Sequence, residues 1–402
     1  RRLSMTEPLV FDRINPFYRG WAEDYLHLAG FDPAAFLAAP QPAEDEMFFK
    51  ALLPNFEGDR GIGAFKFVEA TMRHYQALDQ IVRQAFGGFD GVTSLLDFAS
   101  GYGRLTRALL QRMPAERIWV SDIYGEAIDW QVRTFGVNGF ASVPDPAALS
   151  HGRKHDVIFV GSLFSHLPAE LFRAWLQRLH GMLSPGGVLA FSVHDASILP
   201  PDQSMDDSGI RFFPWSESGS LDPAIYGMTY VTEAFVADAI ARLNPEHPPT
   251  WRVFHKGLYE NQALYVVGGP ERNLSTITVA SPPMGGFERA TLLTDSSVEF
   301  SGWAIERTPG GSLDLLVHVD GEPVLKATKT GDRPDIQPTF PTSPALPFGW
   351  TFRLAREQAA EGQAIRLTMR STTGLETHAY ARMPSDPALT YSGWSRRALR
   401  PR

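Results

Sequence analysis

The chain of 402 residues is longer than one ordinary hydrophobic core supports, so at least two domains are expected. Its 44% hydrophobic and 20% charged residues are those of a folded globular protein, and the net charge of -8 argues against a nucleic-acid backbone or an anionic membrane as the main partner. The absence of cysteine excludes disulfides, thiolate metal ligands and a cysteine nucleophile, and fits a cytoplasmic setting. The 11 histidines are scattered without an HExxH-like pair, so no metal is expected. No apolar run is long enough to span a bilayer and no signal-peptide pattern opens the chain, so membrane insertion is not expected either.

The four residues before Met5 are set aside as an added leader. Residues 6–90 are rich in aromatics and helix-compatible runs; in "FKFVEATMRHYQALDQIVRQAF" the side chains Phe67, Thr71, Tyr75, Leu78 and Val82 recur at helical spacing. A helical extension that doubles as a substrate lid is the reading. From about residue 91 to 270, short apolar runs alternate with amphipathic ones, which predicts βαβ units and a mostly parallel, Rossmann-like sheet of seven strands. The strands are "SLLDF", "RIWVSD", "FASV", "DVIFVG" and "VLAFSV". Helices follow the first, second and fourth of these, and Gly136 closes the second helix.

After a polar insertion at 196–222, a helix is expected over 232–243, then "WRVFHKG" and "NQALYVVGG" as an antiparallel hairpin at the sheet edge. A linker spans 271–285. Residues 286–388 read as a separate all-β sandwich of roughly seven strands, with a hairpin turn at Asp320-Gly321, and 389–402 as a solvated basic tail.

The stretch "LDFASGYGR", residues 96–104, places two glycines behind the first strand and ahead of a helix. Such a turn lets a ligand approach the backbone closely, and the helix start offers free N–H groups. Dinucleotide enzymes carry a third glycine there, over a pyrophosphate; here that position is Thr106. Asp122 ends the second strand, where a carboxylate can accept hydrogen bonds from both ribose hydroxyls of an adenosine, and Ile123 can pack on the adenine. An adenosyl ligand with a small zwitterionic tail suits the loop best.

On these residues, and on "PGG" before the fifth strand, the segment 93–195 resembles a class I S-adenosylmethionine-dependent methyltransferase. The resemblance implies that Asp97, Ala99, Ser100, Gly101 and Gly103 hold the methionine end of the cofactor, and that Asp122 and Ile123 hold the adenosine, with S-adenosylhomocysteine as product. More narrowly, "LDFASGYGRLTRAL", "SLFSHLP", "LSPGGVLAFSVHD" and "YGMTYV" are similar to bacterial methyltransferases of cell-surface polysaccharide pathways.

Methyl transfer from a sulfonium is an in-line displacement, and a hydroxyl acceptor must also lose a proton. His166, just beyond the fourth strand, and His194, at the end of the fifth, are the candidate bases; each has a plain alternative as a helix or turn anchor. Tyr226, Tyr230, Trp215 and His74 are candidates for stacking on the acceptor, and Tyr75 beside them, with buried packing as the alternative for each. "GSLF" at 161–164 lacks the Asn/Asp-Pro-Pro-aromatic tetrapeptide of nucleobase amino-methylases, which disfavours nucleic acid as acceptor.

The sandwich, with Trp303, Trp350 and the Arg333/Asp335 pair, resembles modules appended to bacterial glycan-modifying enzymes. A carbohydrate site, a homo-oligomer interface and simple docking are the roles open to it. Three readings therefore stand: an O-methyltransferase on a sugar or sugar-containing intermediate, a methyltransferase on a lipid or secondary metabolite, and a non-catalytic scaffold that binds glycan or protein.

Overall fold

The computed structural model describes residues 7–216, 218–259, 261–340 and 345–384; the leader, the last residues of the expected sandwich and the basic tail lie outside them. The chain divides into two units between Val279 and Ala280.

The first unit opens with helices whose starts are written in the sequence. Asn15 and Asp32 each accept a hydrogen bond from a backbone N–H of the first turn, with proline at the first helical position, to begin α1 (Pro16–Leu28) and α2 (Pro33–Leu37). Helix α3 (Arg60–Phe86) starts under an Asp59 cap and stops at Gly87, whose φ of +74° is left-handed. Phe67, Thr71, Tyr75, Leu78 and Val82 are all buried along it, as their spacing predicts.

Then come β1 (Leu95–Phe98), α4 (Arg104–Leu109), β2 (Ile118–Asp122), α5 (Gly125–Phe135), β3 (Asn138–Ala141), β4 (His155–Val160), α6 (Ala169–His180) and β5 (Leu183–Asp195). Strand β1 pairs in parallel with both β2 and β4, so the chain reverses direction across the sheet at β1 and leaves a crevice at the carboxyl ends of β1 and β4. Strands β6 (Ile210–Phe213) and β7 (Met228–Val231), helix α7 (Glu233–Ala241), and strands β8 (Trp251–Tyr259) and β9 (Gln262–Gly268) complete the unit. β9 lies antiparallel between β5 and β8. The main sheet therefore runs β3-β2-β1-β4-β5-β9-β8, seven strands with one reversed, and the edge hairpin stands where the sequence placed it.

The insertion holds a pairing that no sequence pattern announced: β6 pairs with β7, and β7 pairs in parallel with His194 and Asp195 at the end of β5. Four residues, Ile-Arg-Phe-Phe, are too few to show alternation, and their neighbour β7 is itself placed only by the overlong β5. Phe172, Trp175, Leu176 and Leu179 of α6 pack with Leu96, Phe98, Ile158 and Phe191 to form the core beneath the crevice. Among the described residues no helix is long and apolar enough to cross a membrane.

The second unit is two four-stranded antiparallel sheets around a shared core that includes Phe287, Phe300, Val317, Leu367 and Ala381. One sheet holds β10 (Met284–Leu292), β11 (Val298–Ile305), β14 (Thr328–Asp332) and β15 (Phe348–Leu354). The other holds β12 (Leu313–Val319), β13 (Glu322–Lys326), β16 (Ala364–Ser371) and β17 (Glu376–Arg382). Asp320 and Gly321 both take positive φ, +48° and +90°, as a two-residue turn between right-twisted strands requires. Eight strands replace the expected seven because β10 begins inside the stretch read as a linker and the polar, exposed β14 carries no apolar signal. Trp303 and Trp350 are buried, and Arg333 joins Glu288 and Asp335 in an ion triad with contacts of 2.6–3.0 Å.

Candidate functional site

The loop after β1 alternates in backbone hand: Ala99, Gly101 and Gly103 have φ of +61°, +53° and +75°. The N–H groups of this turn are taken up inside the protein: Ser100 donates to the Ser121 carbonyl (3.0 Å), Gly101 to Asp122 Oδ2 (2.8 Å) and Gly103 to the Ser100 carbonyl (3.1 Å). Gly101 is needed for conformation alone, whereas a Cβ on Gly103 would stand 2.6 Å from Gln131 Oε1 and 2.9 Å from the Phe135 ring. Gln131 is the residue that sequence reasoning missed. Buried on the inner face of α5, it donates from Nε2 to Ser100 Oγ (2.9 Å) and to the Gly101 carbonyl (2.8 Å), and accepts from Thr106 Oγ1 (2.7 Å). Thr106, where a dinucleotide loop has its third glycine, thus anchors the loop through Gln131. A polar side chain on the apolar face of a helix was the available signal.

Asp122 lines the cavity above this loop, accepting at Oδ2 from the Gly101 N–H (2.8 Å) and at Oδ1 from the Tyr124 N–H (3.0 Å). Burial raises its pKa, against the pull of these backbone donors. Asp97 is buried beneath the loop rather than on the cavity wall. Burial pushes it up to about 8, Arg104 opposes this and Asp122 adds to it. Ala99, Ser100, Gly101, Asp122 and Ile123 all line one cavity of about 370 Å³; Gly103 and Asp97 support it from behind.

Across the crevice, Ser162 follows β4 with a φ of +66°, a strained value for serine. Its N–H donates to Ser192 Oγ (2.8 Å), its hydroxyl accepts from Gln262 Nε2 (2.8 Å), and its carbonyl accepts from Ser165 Oγ (2.8 Å), so three neighbours hold the turn. This turn delivers His166 to the cavity wall. The Nδ1 of His166 lies 2.6 Å from the Gly227 carbonyl, which only accepts, so Nδ1 carries a proton. Tyr226, also on the wall, stacks on that ring at 4.5 Å and 14°.

The remaining candidates stand elsewhere. His194 meets the His166 ring edge-on at 6.1 Å but does not line the cavity; burial and then His166 push its pKa down to about 4. Tyr230 packs beside His194, with ring centroids 5.5 Å apart. His74 lies behind Gly161, its Nδ1 accepting from Arg104 Nη2 at 3.3 Å, with its pKa well below the usual histidine range through burial and then Arg104. The Tyr75 hydroxyl accepts from Arg112 Nε (2.8 Å), a residue just beyond α4, and so joins the helical extension to the sheet domain. Trp215 is 65% exposed and away from the wall.

Arg107 ties the helical extension to this site. Buried, it donates to the carbonyls of Phe36 (3.1 Å), Ala39 (2.8 Å) and Pro40 (3.2 Å) and to Gln41 Oε1 (3.0 Å), and it lies over the rings of Phe11, Phe67 and Phe135. Burial lowers it to about 10, and neutral acceptors with aromatic faces carry most of its solvation. The segment it holds leads into Glu44–Phe48, which lines the cavity together with residues from the 218–226 stretch.

Residues 96–189 match a family model described as a methyltransferase domain. Among solved structures the chain is similar to a complex of DhpI with S-adenosylhomocysteine, at 16% identity over 67% of this chain and 100% of that one, with a TM-score of 0.35. It is also similar to the sugar N-methyltransferase KedS8 from Streptoalloteichus sp., at 15% identity over 49% of this chain and 87% of that one, TM-score 0.36. A third is DesVI of Streptomyces venezuelae, at 14% identity over 49% and 92%, TM-score 0.36. The family match and the strand order together give the first unit the class I S-adenosylmethionine-dependent methyltransferase fold.

Proposed function

We propose that the cavity binds S-adenosylmethionine and that the protein methylates a hydroxyl of a sugar or a sugar-containing intermediate. The observation that carries this reading is a single cavity with a carboxylate and an alternating-hand glycine loop at one end and, at the other, an imidazole oriented through its Nδ1 by a backbone carbonyl. Asp122 would accept the ribose hydroxyls, Ile123 would pack on the adenine, and the loop 99–103 would lie against the methionine end of the cofactor. The cofactor supplies an electrophilic methyl group on a sulfonium. The part of the chain in this chemistry would be that of a base: His166 Nε2 would take the proton that the acceptor hydroxyl gives up. The Gly227 carbonyl steadies the resulting imidazolium through Nδ1–H, and Tyr226 fixes the ring plane. His194, neutral and behind His166, supports the ring and does not reach the acceptor.

A lipid or secondary-metabolite acceptor is the second reading, favoured by the apolar side chains Phe48, Leu52, Phe67 and Ile225 on the wall. Calorimetry with S-adenosylhomocysteine, with NAD and a nucleotide sugar as controls, tests the cofactor. One-to-one binding of S-adenosylhomocysteine alone is expected, and a response only to the controls would overturn the reading. Methyl transfer to free glycans against hydroxylated lipids and metabolites then separates the two acceptors.

A further inference from the structure

Tyr124 stands two residues beyond Asp122 and reaches in two directions. Its backbone N–H holds Asp122 Oδ1 (3.0 Å), at the end of the cavity assigned above to the ribose. Its hydroxyl meets Ser220 Oγ at 2.5 Å, Ser218 Oγ at 3.3 Å and Glu46 Oε2 at 3.3 Å. Ser220 Oγ and Ser218 Oγ also reach Glu46 Oε2, at 3.2 and 3.5 Å. One carboxylate oxygen thus gathers three hydroxyls from residues far apart in the chain. The other oxygen of Glu46 pairs with Lys50 at 2.5 Å. Burial would push the Glu46 carboxyl up, but Lys50 and the hydroxyls of Ser220 and Tyr124 hold it below its ordinary value. At neutral pH Glu46 is therefore an anion that only accepts, and the hydroxyls donate to it.

All four side chains line the cavity. Residues 218–221 form no helix or strand and none of them is buried; opposite them Glu46 is part-buried and Met47 is 52% exposed, between the buried Asp45 and Phe48. Residues this exposed open at low cost unless something fastens them.

We propose that Tyr124 is a positioning residue that fastens two covers, residues 44–48 and 218–221, over the cavity, and that exchange of the cofactor requires this fastening to open. The proposal rests on the cofactor reading above and adds to it the order of events. With the covers shut, cofactor and acceptor are shielded from water, and release of S-adenosylhomocysteine waits for the Tyr124 hydroxyl to part from Ser220 and Glu46.

The test is Tyr124→Phe, which deletes the hydroxyl and keeps the ring and the backbone N–H to Asp122. Amide hydrogen exchange on the unliganded full chain reads the covers, and stopped-flow displacement of S-adenosylhomocysteine reads the exchange rate. Faster amide exchange in both covers is expected, with roughly tenfold faster dissociation, the factor that loss of one or two net hydrogen bonds implies. Ser220→Ala, which removes the shortest contact from the opposite side, is expected to shift both readouts the same way, and it decides the matter should Tyr124→Phe not fold. Unchanged amide exchange in the covers overturns the fastening. Looser covers with an unchanged dissociation rate overturn the gating alone. A wild-type protein that binds no S-adenosylhomocysteine overturns the cofactor reading and the gating together, even where the exchange data show that the clasp exists.

Discussion

The two ends of the cavity are built in opposite ways. At the glycine loop the chain needs only residues 97–106, 122–124 and Gln131, and most contacts are made by backbone groups. At the His166 end, a strained serine, two residues from β5 and β9, and the stretch 226–227 must converge from distant positions. A site of backbone and nearby residues can hold an invariant ligand on almost any version of the fold. A site of remote side chains can be re-specified without disturbing the first, and this is where acceptor choice would reside.

Substitutions at the two ends should therefore separate chemistry from cofactor affinity. The largest effect is expected for His166→Ala, a loss of about 10²–10⁴ in kcat with little change in S-adenosylhomocysteine affinity, measured by methyl transfer and calorimetry on the same variant. A variant with wild-type turnover would clear His166 of the base role. Asp122→Ala should do the reverse, weakening S-adenosylhomocysteine binding by about 1.5–3 kcal/mol, the range for hydrogen bonds to a charged group; unchanged affinity in a folded variant would refute the ribose assignment.

Asp97 sharpens the contrast through pH. Its carboxyl stands at about 8 in the fold, against an ordinary value of 3.8. The stability it contributes is thus full below about pH 4 and is lost as pH rises through about 8. Binding of the cationic S-adenosylmethionine favours the carboxylate and so releases a proton below about pH 8, where affinity should rise with pH by at most about tenfold per unit. Calorimetry in buffers of different ionisation enthalpy measures that proton, and Asp97→Asn should abolish it while raising the melting temperature at neutral pH. The smallest effect is expected for Thr106→Val, about 1 kcal/mol in denaturant unfolding, since it removes one buried hydroxyl contact to Gln131.

The glycine loop was legible because its chemistry is local. Positive φ selects glycine, strand ends carry their acids, and both survive as letters in fixed order. The end of α5 was legible for the same reason, through Gly136, whose φ is left-handed. Gln131 and Arg107 were not, because a buried polar residue has meaning only through the acceptors that other segments bring to it. His166 and His194 looked equivalent in sequence, each next to the end of a parallel strand. The structure distinguishes them by a single carbonyl, Gly227, and by which ring faces the cavity. Among the acceptor candidates, Tyr226 reaches the wall and Trp215 the surface for reasons that lie in how the insertion folds over β5.

By itself, then, the sequence determined the alternation that makes a doubly wound sheet, the loop that follows β1 and the carboxylate that ends β2, since each depends on backbone conformation or strand position that neighbouring residues set. Only the tertiary structure decided which histidine lines the cavity and which side chains meet at its wall. Those outcomes require His166 to meet Gly227, and Glu46 to meet Tyr124 and Ser220, across long stretches of chain, and contact between remote residues is fixed by packing, which no local pattern encodes.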